Sequence, residues 1–478
     1  MSRFIKDFIN TSTYAFIAQI VSLSASLLIS LVLPKYMPIE FYGYLQFFLL
    51  IGSYVGILHF GFNDGVYLKL GGSKFDNISA KEYLPQYILT FVIQIAFAFT
   101  LHYVTFLFVV DAMYKQILFL MSIYLVIDNF YKILGFTLMA TDKMQYYSKS
   151  VIVDKSLLIL FTVLLILEII PVYPTTIVKF YILTHFIALV VIFYFFRNFF
   201  SNWRNISFTK VFSKTFNNMI FGVSLTISNL LGTFIIGSGR FLVEHYWNID
   251  TFAKISLALS LSMFLIMFFS EIGLVLFPFL RNITKSLQKI ILEKSSFLLG
   301  MFTLVCFIFF FPVYFLIDRL LPLYTDSLNY LIFLFPISLY EIKFIMLYNT
   351  YFKTLKKQKV LLLINLMSLF FASVLYFIAI YIYNTDLIVL AMLLSIMFRS
   401  IVSKLYLNKL FFIRLGNYMI TEVLFSSLFI LTFKFFNISG LFLFYIISII
   451  LIYIIYWSKI KIEFTYLKSS VLSENSII

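Results

Sequence analysis

Six ionisable residues lie inside or at the edge of long apolar runs, where each charge costs roughly 2.5–3.5 kcal/mol on insertion scales unless a partner or water neutralises it. Asp128 and Lys132 are four residues apart, hence neighbours on one helical face with the acid N-terminal, the favourable order. They read either as a self-neutralised structural pair or as a charged site. Glu341 and Lys343 are two residues apart, about 200° around a helix, so they cannot pair with each other. At least one must face a cavity or a charge on another helix, and Pro336 upstream permits a kink there. Arg240 follows Gly237-Ser238-Gly239 and is either an anion partner or an interfacial cation. Glu271 shares a helical face with Ser256 and Ser260, and Gln19 shares one with Ser22, Ser26 and Ser30. Serine stripes of this kind serve close helix packing, but Glu271 favours a wet cavity. Lys132, Lys343 and Arg240 are therefore candidate anion partners, and Asp128, Glu271 and Glu341 are candidates to bind a coupling ion, H+ or Na+, or to balance the lysines. Arg399 and Glu422 read as side chains snorkelling from span ends, and His59 and His185 as packing residues. No phosphate-binding loop, HExxH or paired His/Cys spacing is present, and the single cysteine, Cys306, excludes an intramolecular disulfide. No cofactor or metal site is expected.

These residues must be positioned by membrane helices. With 62% hydrophobic and 12% charged residues in 478, the chain cannot hide its apolar surface in a water-soluble domain. About 20 apolar residues cross the hydrocarbon core as a helix, and the sequence predicts fourteen such spans. They lie at 11–33, 42–62, 87–110, 115–139, 150–170, 177–197, 215–237, 254–278, 297–317, 329–351, 360–382, 386–405, 417–436 and 439–457. The first has no small-residue cleavage pattern and reads as a retained span. The net charge of +15 forms no basic domain or nucleic-acid motif. It follows the positive-inside rule instead. With the N-terminus in the cytoplasm, 27 of the 36 basic residues fall on the cytoplasmic side. Seven lie outside, and Lys132 and Lys343 lie within spans. Both termini are then cytoplasmic. Tyr36, Tyr83, Tyr114, Tyr173, Trp203, Trp247, Tyr324 and Trp457 collect at span ends as interface anchors do.

An internal repeat divides the chain. Lys35-Tyr36-Met37-Pro38-Ile39-Glu40 reads against His245-Tyr246-Trp247-Asn248-Ile249-Asp250 at an offset of 210, and Gln19 then falls on Asn229. Six spans separate the two copies, so both enter the membrane from the same side. The expected fold is an all-α integral membrane protein of about 14 transmembrane helices. Two six-helix lobes, 1–214 and 215–416, would be related by a pseudo-two-fold along the membrane normal, with 417–478 adding two helices and a cytoplasmic tail.

One stretch breaks the series of apolar runs: His59-Phe60-Gly61-Phe62-Asn63-Asp64-Gly65-Val66-Tyr67-Leu68-Lys69-Leu70-Gly71-Gly72. Asn-Asp-Gly is turn chemistry, and the glycines permit positive φ and close approach. Val66 to Leu70 suits an amphipathic segment lying along the membrane surface. The bland alternative is a loop that merely connects two spans. Together with Phe41-Tyr42-Gly43-Tyr44-Leu45-Gln46 and the run Thr11 to Pro34, this stretch resembles the polysaccharide and O-antigen flippases of the multidrug/oligosaccharidyl-lipid/polysaccharide (MOP) exporter superfamily. The motif residues so implied are His59, Gly61, Gly65, Lys69, Gly71 and Gly72, with Asp64 and Gln19 as candidate transport residues. The resemblance covers the first eighty or so residues. It implies a non-enzymatic flippase of the bacterial inner membrane that moves an undecaprenyl-diphosphate-linked oligosaccharide among membrane lipids, with polysaccharide assembly proteins as partners. The lysines and Arg240 would meet the diphosphate. A cation-coupled drug exporter of the same superfamily is the first alternative. A membrane polysaccharide polymerase or glycosyltransferase is the second, although the first outer loop, Pro34 to Phe41, offers only Lys35 and Glu40.

Overall fold

The computed structural model describes residues 2–200, 210–414, 416, 418–436 and 438–475. Trp203 lies outside them, and the side chain of Glu271 is likewise not described. Among the described residues the chain is helical throughout, with one isolated bridge between Ser73 and Thr141 and no strand. The helices are α1 (Ser2–Leu27), α2 (Ile39–Gly52), α3 (Phe62–Leu70), α4 (Ala80–Phe108), α5 (Ala112–Ala140), α6 (Met144–Ile166), α7 (Pro174–Phe195) and α8 (Val211–Tyr246). They continue with α9 (Ile249–Asn282), α10 (Lys285–Cys306), α11 (Phe310–Leu320), α12 (Ser327–Leu334), α13 (Ile337–Lys343), α14 (Asn349–Thr354), α15 (Gln358–Ile382), α16 (Thr385–Phe411), α17 (Tyr418–Phe435) and α18 (Ile438–Asn475). Among the described residues, thirteen helical segments are long and apolar enough to cross a membrane. The remaining expected span, 150–170, falls on α6, whose 23 residues reach about 34 Å; Lys149, Asp154 and Lys155 make it less apolar than the rest. This is a multi-pass membrane protein with an all-α fold.

Local chemistry sets the helix ends. Asp111 caps α5 by accepting the N–H groups of Met113 and Tyr114, both at 2.9 Å. Asn248 caps α9 through Thr251 at 2.7 Å. The repeat appears in these ends: helical structure stops at Tyr36 and at Tyr246, and restarts at Ile39 and at Ile249, again 210 residues apart.

Several spans are interrupted. A 3-10 turn, Phe307–Phe309, separates α10 from α11. The tenth span breaks at Phe335-Pro336, where proline has no N–H to continue the ladder, and a π turn, Phe344–Tyr348, follows Lys343.

The chain divides into two compact units, Met1–Leu230 and Leu231–Ile478, with the boundary inside α8. The first unit is cored by Phe62, Val66, Tyr87, Leu134 and Ile192 among others. The second is cored by Leu287, Ile291, Leu347, Tyr351, Ile364 and Leu407, and α18 packs on α10 within it.

Candidate functional site

In the first unit, α5, α6 and α7 bring five ionisable side chains together. Lys132 Nζ lies 2.6 Å from Asp128 Oδ2, and Lys155 Nζ lies 2.9 Å from Asp154 Oδ2. His185, on α7, stands between the two acids: Nδ1 is 3.2 Å from Asp154 Oδ2, in hydrogen-bond geometry. Nε2 is 3.3 Å from Asp128 Oδ1 but not aligned for a bond. A neutral imidazole has one N–H and can serve one carboxylate at a time, whereas a protonated ring donates to both. Both aspartates are almost fully buried, while the Lys132 and Lys155 side chains keep 34% and 22% of their surface. The lysines are therefore the accessible members of the cluster. They open on a cavity of about 340 Å³ whose walls include Tyr124, Tyr131, Tyr147 and Tyr181. Tyr124 donates to Asp128 at 3.3 Å, and Lys155 lies 5.2 Å from the centroid of the Tyr181 ring. Asp128 and Lys132 do pair along one helix face, and His185 packs as expected but against two carboxylates. Asp154 and Lys155 were not legible as site residues.

The turn of the glycine-rich stretch is not where Asn63-Asp64-Gly65 suggests. The turn comes earlier, at Phe60 (φ 49°) and Gly61 (φ 83°), where the His59 ring Nδ1 accepts the Gly61 N–H at 3.0 Å. Asn63, Asp64 and Gly65 are helical, inside α3. Val66 and Leu70 are buried in the core of the unit, and Tyr67, Leu68 and Lys69 between them are exposed. The partner of α3 is the first half of α8. A Cβ at Gly61 would stand 2.8 Å from the Gly222 carbonyl carbon, one at Gly65 would overlap the Asn218 carbonyl, and one at Gly222 would overlap Gly61 and Gly65 in return. The two backbones thus meet through three glycines. Around them Thr226 donates to the Asp64 carboxylate and Lys69 to the Asn218 side-chain oxygen. Asn218 in turn donates to Gln86 at 2.7 Å. Gly71 ends α3 with ordinary φ, and Gly72 (φ 85°) lets its N–H reach the Ala140 carbonyl at 3.0 Å.

In the second unit two buried cations are paired with carboxylates. Lys343, expected to face a cavity, instead pairs with Glu422 of α17, and both are buried. Glu341 pairs with Arg399 of α16, which also donates to the Gly232 carbonyl at 3.0 Å. Glu341 and Lys343 thus have separate partners on separate helices. Arg399 and Glu422 do not snorkel; each is 1% exposed. The Glu422 carboxylate lies over Gly300 of α10, where a Cβ would leave it no room. Lys404 Nζ makes no hydrogen bond and sits 3.8 Å from the centroid of the Tyr418 ring. Arg240 donates to Ser256 Oγ at 2.9 Å and stands over the Phe252 ring. Gln19, Ser22, Ser26 and Ser30 are half-buried, beside the fully buried stripe Ala18, Ala25 and Ile29.

No family model and no curated protein sequence matches the chain. Solved structures do match in fold. A lipid II flippase, MurJ, in an inward-closed conformation is 14% identical and superposes with a TM-score of 0.63, covering 98% of this chain and 100% of its own. A MATE structure in complex with MaL6 is 13% identical, with a TM-score of 0.58 over 85% of this chain and 96% of its own. An outward-facing multidrug resistance MATE family transporter of the MOP superfamily is 12% identical, with a TM-score of 0.55 over 85% and 95%. The chain has the fold of these MOP-superfamily transporters.

Proposed function

We propose that the chain is a flippase that carries an undecaprenyl-diphosphate-linked oligosaccharide, an O-antigen or capsule repeat unit, across the bacterial inner membrane by alternating access. The observation that carries this reading is the cavity of the first unit, where two lysines remain accessible while their carboxylates are buried. An entering diphosphate would take over Lys132 and Lys155 as counter-ions, and His185 would remain to bridge Asp128 and Asp154. The four tyrosines offer aromatic faces and hydroxyls to sugar rings. A volume of about 340 Å³ is at the lower end of the roughly 300–1,000 Å³ of ligand pockets, so it suits part of a headgroup, with the lipid tail left in the bilayer. The extent of the fold likeness supports the same reading by analogy. The lipid II flippase covers 98% of the chain, which cannot be reached without most of α17 and α18, whereas the MATE structures stop at 85%.

The acids of the same cavity favour a second reading, a cation-coupled multidrug exporter, in which Asp128 and Asp154 would hold the coupling ion or a cationic drug. Reconstituted vesicles separate the two. We expect a fluorescent undecaprenyl-diphosphate oligosaccharide to change leaflets, and Lys132→Ala with Lys155→Ala to slow it about tenfold, the effect of losing roughly 1.4 kcal/mol of binding to the moving state. Efflux of ethidium without movement of the lipid would replace the flippase with the exporter.

A further inference from the structure

We infer that Tyr147, held back on Gly135, is the wall that sets how large a group the cavity of the first unit admits; that this group is the sugar next to the diphosphate rests on the cargo reading above. The cavity lies between matching helix faces. Asp128, Tyr131 and Lys132 line it from α5 at helical spacing, and Tyr147, Val151 and Lys155 line it from α6 in the same way. Position 135 continues the α5 face by one more turn, and it is a glycine. Only Thr141, Asp142 and Lys143 separate the two helices, so Gly135 and Tyr147 meet near the closed end of a helical hairpin. Of the residues that line the cavity from these helices, Tyr147 stands nearest that end.

Backbone geometry does not require this glycine. Gly135 is buried inside α5 with ordinary helical φ, where glycine is a poorer residue than alanine. What it supplies is room: a Cβ there would stand 2.8 Å from Tyr147 Cε2 and 2.9 Å from Cδ2. At Gly65 backbone blocks a methyl group, but here the obstacle is a side-chain ring that can turn aside. Its way out is set by its neighbours. Tyr147 packs against the buried core of the unit, with the Tyr131 ring centroid 5.9 Å from its own, and a close-packed interior has no space to receive it. The open side is the cavity. Gly135 therefore keeps the phenol ring out, and a single methyl group at 135 would send it in. Gly52 of α2 does the same more loosely for Tyr124, whose Cε1 would lie 3.3 Å from a Cβ. Charge is read elsewhere, because Lys155 lies two turns from Tyr147 along α6. An anion held by the lysines is thus judged separately from the bulk attached to it. A pocket that refuses one extra methylene discriminates by roughly 10- to 200-fold, and a displaced ring takes more space than that.

The first arm of the test measures the wall without any cargo. In a Cys306→Ala background, Val151→Cys puts a thiol on the cavity lining of the full-length protein, and its rates with methyl and benzyl methanethiosulfonate are compared. Gly135→Ala should slow the benzyl reagent about tenfold more than the methyl one. Adding Tyr147→Val should remove the difference, and adding Tyr147→Phe should not, because the ring rather than the hydroxyl fills the space. Tyr147→Val alone should speed the benzyl reagent selectively, so the test survives a Gly135→Ala protein that does not fold. A ratio of the two rates that Tyr147→Val leaves unchanged overturns the wall. The second arm titrates citronellyl diphosphate, with and without one attached N-acetylglucosamine, by calorimetry. Gly135→Ala should weaken the sugar-bearing ligand about tenfold and the bare diphosphate less than twofold. Equal weakening of both assigns the glycine to the fold and overturns its part in choosing the sugar. If the protein without these substitutions binds neither ligand, the cargo reading fails while the thiol rates still decide the wall.

Discussion

Lys343 shows how a buried cation is read at the scale of one residue. Pairing with Glu422 removes it from the pool of free anion partners and gives it a structural duty. Removing one member of a buried pair costs about 3–5 kcal/mol, because the other charge is left unpaired. Lys343→Ala should therefore lower the amount of protein in the membrane severalfold, and adding Glu422→Gln should restore most of it. Immunoblots of membrane fractions check this. Normal abundance of the single variant would show that Glu422 finds another cation, for which Lys404 is the nearby candidate. The sequence marked Lys343 as buried and charged but not Glu422, which is only four residues into α17. Nearness to a helix end does not give exposure when a neighbouring helix covers that end, and here Gly300 lets the carboxylate nest against α10. Asp154 was hidden by a boundary. A span starting at 150 puts it in the first turn, whereas α6 starts at Met144 and carries it about three turns deep.

At the scale of elements, each of the thirteen apolar segments falls on a span that hydropathy predicts, but none of the breaks flanked by equally apolar residues was legible. The turn at Phe307–Phe309 and the π turn at Phe344–Tyr348 carry no polar signal, and only Pro336 announced its interruption. The glycine stretch was legible as special but not in its partner, since α8 lies far away in sequence and Asn218, Gly222 and Thr226 look ordinary there. Two constraints on glycine can be separated by substitution. Gly72 has φ 85° with nothing within 4 Å of a Cβ, whereas Gly65 has ordinary helical backbone but no room for one. Gly72→Ala should cost about 1–3 kcal/mol from backbone strain alone. Gly65→Ala and Gly222→Ala should be worse, because backbone atoms rather than flexible side chains block the methyl group. The temperature at which detergent-solubilised protein loses its monodisperse peak ranks the three, and a Gly72 variant as unstable as the others would assign the requirement to φ rather than to close approach.

For the whole molecule, the distribution of basic residues predicts which ends of the helices face the cytoplasm. Ser286→Cys, at the start of α10, should resist an impermeant thiol reagent in intact cells, whereas Asp326→Cys, just before α12, should react. Both positions are exposed, so accessibility reports side and not burial, and reversed labelling would invert the topology. The contact between α3 and α8 has a further consequence, for biogenesis. Asp64 and its partner Thr226 are 162 residues apart, and translation adds about 5–20 residues per second. The earlier helices therefore emerge on the order of ten seconds before α8 can complete them. Throughout that interval the glycine face of α3, with its carboxylate and its ammonium, waits at the membrane without its partner. What is a unit in the finished protein is thus not a unit during synthesis: its last piece arrives on the first helix of the following half.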